Sequence, residues 1–355
     1  MKNLFGLLCL LLLITACSDD ETHQHRTYKM GFQNSAPRFD DFDLIIQSLQ
    51  MWSERADAAM ITTEPPWEEL LAGHNPVTYV VDNYKALVDY YRSQGFELWV
   101  YIDPQNGLDR TSDAGELVAA GRSIAEPEIQ ALYRRFVVVM DSVLNPEHLG
   151  LALETNLIRH AASPAVYNGV KQAANDAAAE ITVLDPSVKL SISVQVDYAW
   201  GKLGGGAYKG ITQDFTDFPF MEELGLSSYP YFGWNSPNDL PLNYYSKLIE
   251  GINIPVFVSE GGWTSESINE GSIEVTSSPE KQRDYINRHH TLLNQASATA
   301  CFQLVFTDID LDALPPGVND NIRFFAFLGL VDETLQPKPA LTVWDKLFGL
   351  PLLSQ

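Results

Sequence analysis

The sequence predicts an α/β fold, a single (β/α)8 TIM barrel, on three observations. Short apolar runs and helical stretches alternate eight times along the chain, and strand-helix units in such a series close into a parallel barrel. No glycine-rich phosphate fingerprint follows the first run, which argues against an open doubly wound sheet. No Gly/Ser/Pro linker or low-complexity break divides the chain, and barrels of this length form one domain.

The elements follow in order. Tyr28 to Phe32 is the first strand, with a helix over Phe39 to Arg55 after it. Ala58 to Thr63 is the second, running into Glu64-Pro-Pro-Trp67. A helix near Val77 to Gln94 stops at Gly95, a residue suited to a helix terminus. Phe96 to Ile102 is the third strand and ends in Asp103-Pro104. The helix Pro127 to Leu144 shows an apolar face through Ile129, Leu132, Phe136, Val139, Met140 and Val143. Leu149 to Leu153 is the fourth strand, ending in Glu154. An alanine-rich helix from Pro164 to Leu184 is stopped by Asp185-Pro186. Val188 to Val194 alternates with period two as the fifth strand. Gly225 to Ser228 is the sixth, before Tyr229-Pro-Tyr231, and a helix begins near Tyr244. Val256 to Val258 is the seventh. Ser278 caps a helix that carries Pro279 at its first position. Ala300 to Phe306 is the eighth strand, and a helix from Pro339 to Phe348 closes the chain.

Two of these strands end in glutamate: Glu154 in Gly150-Leu-Ala-Leu-Glu-Thr-Asn156, and Glu260 in Pro255-Val-Phe-Val-Ser-Glu-Gly-Gly-Trp263. Barrel enzymes place their chemistry at the C-terminal ends of strands. Two carboxylates brought together there are the apparatus that cleaves a glycosidic bond. Strand alternation puts Gly150, Ala152, Glu154 and Asn156 on one face, and Val256, Val258 and Glu260 on another. Gly261-Gly262 permits a sharp turn or a close backbone approach. The bland alternative for both glutamates is a structural carboxylate in an ion pair or a helix cap. Asp103 fits a sugar-hydroxyl ligand and a turn aspartate equally well. Glu64 and Asp308 are weaker candidates at strand ends. Aromatic residues cluster after strands: Trp67, Trp200, Tyr229, Tyr231, Phe232, Trp234 and Trp263. Rings there suit a groove for an extended sugar chain, although core packing explains any one of them.

These motifs resemble the clan A glycoside hydrolases. Pro255 to Trp263 is similar to the strand-seven segment of arabinogalactan endo-β-1,4-galactanases and their relatives. Gly225-Leu-Ser-Ser-Tyr-Pro-Tyr231 resembles their strand six. The segment Gly329 to Ala340 resembles their closing loop and helix. The resemblance implies that Glu260 attacks the anomeric carbon while Glu154 protonates the leaving oxygen, with retention and carboxyl groups about 5 Å apart. It implies a raised pKa on Glu154, and a tyrosine, Tyr229 before Tyr231, that orients Glu260. It implies endo-action on a galactan-like or other plant or algal β-glycan. Two positions depart from the pattern. Leu153 stands where an asparagine usually precedes the acid/base, leaving Asn156 to reach the sugar's 2-hydroxyl. Phe306-Thr-Asp308 stands where a tryptophan is usual. A different reading is a glycan-binding lipoprotein that kept the barrel without turnover; a third is a structural envelope protein.

The N-terminus reads as a targeting signal. Residues 1–16 hold an apolar run too short to span a bilayer. It ends in Ile14-Thr-Ala-Cys17, which looks like a bacterial lipobox with Cys17 as the lipidated residue; a plain secretory signal is the alternative. Residues 17–27 read as a polar tether and 28–355 as the barrel. The expected location is the cell envelope, with the lipid as the only membrane contact. Net charge is −23, which disfavours nucleic acid and anionic lipid and fits a neutral oligosaccharide or polysaccharide substrate, or a saline habitat; a monomer is expected. With Cys9 in the signal and Cys17 lipidated, Cys301 is left without a disulfide partner. No metal or cofactor is expected: His289-His290 lacks zinc spacing, Asp308, Asp310 and Asp312 lack the EF-hand glycine and glutamate, and no Gly-x-Ser-x-Gly occurs.

Overall fold

Runs rich in β-branched and aromatic residues supply eight parallel strands that close on themselves in sequence order. They are β1 (Lys29–Gln33), β2 (Ala58–Thr63), β3 (Glu97–Ile102), β4 (His148–Gly150), β5 (Lys189–Gln195), β6 (Glu223–Ser228), β7 (Val256–Gly261) and β8 (Ala300–Gln303). β1 pairs with β2 at Gly31↔Ala58 and with β8 at Lys29↔Ala300, which seals the barrel. The computed structural model describes residues 24–353 except 272. The signal segment and Cys17 therefore lie outside the described residues.

The barrel interior is a filled core, as closure of eight strands requires. At its base the His148 ring lies flat on Trp99, with centroids 3.7 Å apart. Its two nitrogens meet Glu223 and Glu97, each at 2.8 Å. One layer up, the Tyr101 ring fills the axis and its hydroxyl bonds Ser191 at 2.8 Å. Two glycines make room for that ring. A Cβ on Gly150 would sit 2.4 Å from it, and one on Gly225 would sit 2.5 Å from its hydroxyl. Phe257 packs against both the Trp99 and Tyr101 rings, and Phe302 and Met60 belong to the same inner cluster.

Helices wrap the outside and bury one face each. They include α1 (Phe42–Ser53), α2 (Pro127–Leu144), α3 (Thr155–Ala161), α4 (Pro164–Leu184), α5 (Pro279–Gln295) and α6 (Pro339–Phe348). α2 buries Ile129, Phe136, Val139 and Met140 as its periodicity predicts, and Tyr133 as well. The Tyr133 hydroxyl contacts the carbonyls of Ile102 (3.2 Å) and Leu151 (2.5 Å), which ties the ends of β3 and β4 together. Ser278 caps α5 by accepting from the Lys281 N–H.

Several boundaries differ from expectation. α1 starts at Phe42 rather than Phe39 because the Asp41 side chain caps it. The helix near 76–94 contains one π turn, Val81–Lys85. No α-helix follows β6: three 3-10 turns, Pro230–Phe232, Pro237–Asp239 and Ser246–Ile249, form instead, the last where a helix from Tyr244 was expected. β4 and β8 are shorter than predicted, since each strand's C-terminal end bends into the site. Residues 24–27 are not all tether. Arg26 is buried, pairs with Asp57, and bridges to Leu352 at the base of the barrel.

Candidate active site

Glu154 reaches the barrel mouth by leaving β4 early. After Gly150 the chain bends, and Glu154 itself adopts the left-handed conformation, φ +48°. That conformation is uncommon for a residue with a side chain and costs about 1 kcal/mol or more. Three contacts hold it. The Glu154 N–H donates to Ser193 Oγ at 2.9 Å. Its carbonyl accepts from Leu157 and Ile158 at the start of α3. Thr155 and Arg159 on α3 both bond the fully buried Asp214.

Glu260 reaches the mouth by a different device. Val256 and Val258 face the outer core, while Phe257 faces the barrel axis. Simple alternation, which was expected to put all three on one face, would turn Glu260 outward with the valines. A register shift in the β6–β7 pairing changes this: Leu226 pairs with Val258, but Ser227 pairs with Glu260. Ser259 is the extra residue. Such a bulge re-aims the following side chain, here into the barrel. Gly261 and Gly262 then pass close to the Ser228 carbonyl and the Gln303 amide; the close approach is to protein.

The two glutamates line one cavity, and Glu260 feels the charge of Glu154. Ser227 stands beside them. Its hydroxyl donates to Glu154 Oε1 at 2.6 Å, and its polar side chain also favours the charged form of Glu260. The other Glu154 oxygen accepts from Arg110 Nε at 2.9 Å. Arg110 also pairs with Asp103 at 2.6 Å, and all four of these charged side chains are buried.

Charge is unevenly distributed over this cluster. Burial, then the neighbouring Glu154 charge, pushes Glu260 up to about 7; Arg110 and Ser227 pull the other way. Burial raises Asp103 against the opposing pull of Arg110. Glu64 at the rim is also pushed up to about 7, by partial burial and by Asp103. Arg110 gives Glu154 a direct counter-ion, and no salt bridge reaches Glu260 among the described residues.

A cavity of about 550 Å³ opens above the pair. Glu64, Asp103, Glu154, Tyr229 and Glu260 line it together, with Arg110. Tyr229 is held from behind, its N–H donating to the buried Asp197 at 3.0 Å. Its hydroxyl makes no hydrogen bond to Glu260 among the described residues, although it feels that charge more strongly than any other.

Five expected site residues lie outside the cavity. Asn156 exchanges two hydrogen bonds with the backbone of Gln195, at 2.9 and 2.8 Å, and is buried; it does not replace an asparagine before Glu154. The Tyr231 hydroxyl donates to the Phe324 carbonyl. Trp263 is fully buried with its Nε1 on Ser277, and offers no face to a ligand. Trp234 packs against Trp200 and Tyr244 with Lys202 over its ring. Asp308 pairs with Lys338 and accepts from the Gly329 N–H, tying the closing segment to β8. The ring-paved groove expected from the aromatic residues therefore does not form.

Arg110, Ser227 and Ser193 are the contacts that the sequence reading missed. Ser227 was within reach, since alternation from Gly225 places it on the inward face. Arg110 carries no local signal: it sits in an irregular loop, and only the fold brings it to Glu154.

No protein-family model matches the chain, and no curated protein matches it in sequence. Solved structures do share its shape. GH5_18 from Bifidobacterium longum subsp. longum is 17% identical over 93% of this chain and 82% of its own, with a TM-score of 0.61; a variant of it was solved with Manβ1-4GlcNAc. An exo-β-1,4-mannosidase from Opitutaceae bacterium strain TAV5 is 14% identical, with a TM-score of 0.66, over 91% of this chain and 59% of its own. A β-glucosidase from Exiguobacterium marinum is 11% identical, with a TM-score of 0.62, over 91% and 97%. At these identities the likeness carries the fold: this chain is a single (β/α)8 barrel of the shape these glycosidases have.

Proposed function

We propose that the protein hydrolyses a β-glycosidic bond with retention, through Glu154 and Glu260. The observation that carries this is the pair of buried carboxylates, Glu154 and Glu260, on the floor of one cavity. A retaining mechanism needs one proton between two close carboxyl groups. A pair in which one member is compensated by Arg110 and the other is raised to about 7 holds one proton near neutral pH. With the roles that the resemblance implies, Glu260 attacks and Glu154 donates. Substrate must then draw the proton from Glu260 to Glu154, for instance as the glycosidic oxygen displaces one of the Glu154 contacts. The solved structures of similar shape include enzymes for β-mannosides and β-glucosides, which agrees with a β-linked substrate.

Endo-action on a galactan-like polymer rests on the resemblance alone, since the aromatic groove is missing. A second reading, glycan binding without turnover, is favoured by one observation: Arg110 and Ser227 occupy both oxygens of Glu154. Hydrolysis of a panel of β-linked glycosides and glycans by wild type, Glu154→Gln and Glu260→Gln separates the readings. The proposal expects turnover that falls by three or more orders of magnitude in Glu260→Gln. Binding without turnover in wild type supports the second reading. We further propose that Cys17 carries lipid and holds the barrel at the cell envelope as a monomer.

A further inference from the structure

The cavity has two ends of opposite character. One end is the charged floor already described. From there it runs over the ends of β1 and β2 and down between α1 and the helix Ala86–Ser93. Ile45 and Leu49 line this arm from α1, Leu87 from the facing helix, and Ile309, Ile322 and Phe325 from the loops after β8. These side chains are only partly covered, apart from the better buried Ile309. Phe39, 63% exposed, stands among the lining residues, and Phe42, 72% exposed, follows at the start of α1. The sugar ring needs hydrogen-bonding partners; Asn34, Thr62 and Thr63 line the passage over β1 and β2, but the part between the two helices is lined mainly by apolar side chains. An apolar arm that opens into a charged floor matches a ligand with one polar and one apolar part.

We infer that the substrate is an amphipathic β-glycoside, with its sugar at Glu154 and Glu260 and an alkyl or acyl chain in the arm between α1 and the helix Ala86–Ser93. This rests on the proposed hydrolysis for the identity of the sugar end. The chain would come from the aglycone or from an ester on the sugar; the apolar chemistry is common to both. Burying several methylenes there removes apolar surface from water and should strengthen binding by roughly tenfold to a hundredfold over a methyl group.

The test measures binding calorimetrically below micelle-forming concentrations, with hydrolysis followed in parallel. The probes are methyl β-glycosides, n-octyl β-glycosides and 6-O-octanoyl methyl β-glycosides of glucose, galactose and mannose. The inference expects one of the two eight-carbon series to bind at least tenfold more tightly than its methyl parent. Which series does so identifies the source of the chain. Leu87→Trp fills the arm and should erase that preference; Ile45→Asn, at a less buried position, should reduce it and serves if the first variant does not fold. Equal affinity for methyl and eight-carbon probes overturns the inference, while their hydrolysis would leave the proposed function standing. A chain preference that survives both variants also overturns it. Chain-dependent binding without cleavage supports the arm and removes the hydrolase reading.

Discussion

Arg110 governs how charge is shared at the site. Its guanidinium is the only cation among the four buried charged side chains there, and it serves Asp103 and Glu154 rather than Glu260. Removing one partner from a buried ion pair leaves an uncompensated charge, which costs about 3–5 kcal/mol. Arg110→Met is therefore expected to lower unfolding free energy by about that amount at neutral pH, as urea denaturation would measure. Glu260 behaves in the opposite sense. Its folded-state pKa, about 7, lies above its ordinary 4.5. Between these values the unfolded chain releases a proton that the folded chain keeps, so stability falls as pH rises through the window. Glu260→Gln should thus stabilise the fold at pH 8, by up to about 3 kcal/mol, and change little at pH 4. The same titration sets activity. With one proton on the pair as the working form, kcat/KM should fall as pH rises through about 7, when Glu260 ionises and no acid is left.

Strands and helices placed by period were largely legible in the sequence, and the site was legible only where period holds. α2, α4, α5 and α6 lie where expected, α2 from its apolar face, α4 from its alanine-rich run and Asp185-Pro186 stop, and α5 from its Ser278 cap. The two glutamates were found because each ends an apolar run. Their orientation was not, because both are aimed by irregularities: a left-handed Glu154 and a bulge at Ser259. A bulge is a property of two strands in register, and one strand's sequence does not display it. The aromatic residues misled for a related reason, since nothing local distinguishes Trp263 buried under a loop from Trp263 facing a groove. The packing of Tyr101 supplies a prediction at this scale. Gly150→Ala places a methyl group 2.4 Å from its ring, and overpacking costs about 1–3 kcal/mol. The loss should shrink in a Tyr101→Leu background, where the ring is gone, and a double-mutant cycle by thermal unfolding would show the coupling.

The whole molecule has a base and a mouth with different duties. Arg26 enters at the base, beside Asp57 and Leu352, while Glu154 and Glu260 stand at the opposite end of the strands. Cys17 precedes Arg26 by nine residues, which span about 30 Å at most. A lipid on Cys17 would therefore hold the base toward the membrane and turn the mouth away from it. Cys17→Ser should release the protein from the membrane fraction without changing its hydrolysis of soluble glycosides. The claim on which the functional account depends is that Glu260 attacks the sugar. Trapping with a 2-deoxy-2-fluoro β-glycoside carrying an activated leaving group, followed by peptide mass spectrometry, tests it most directly. The account predicts a glycosyl ester on the peptide containing Glu260. A label on Glu154 would reverse the two roles, and turnover with no covalent adduct on either glutamate would contradict the retaining mechanism.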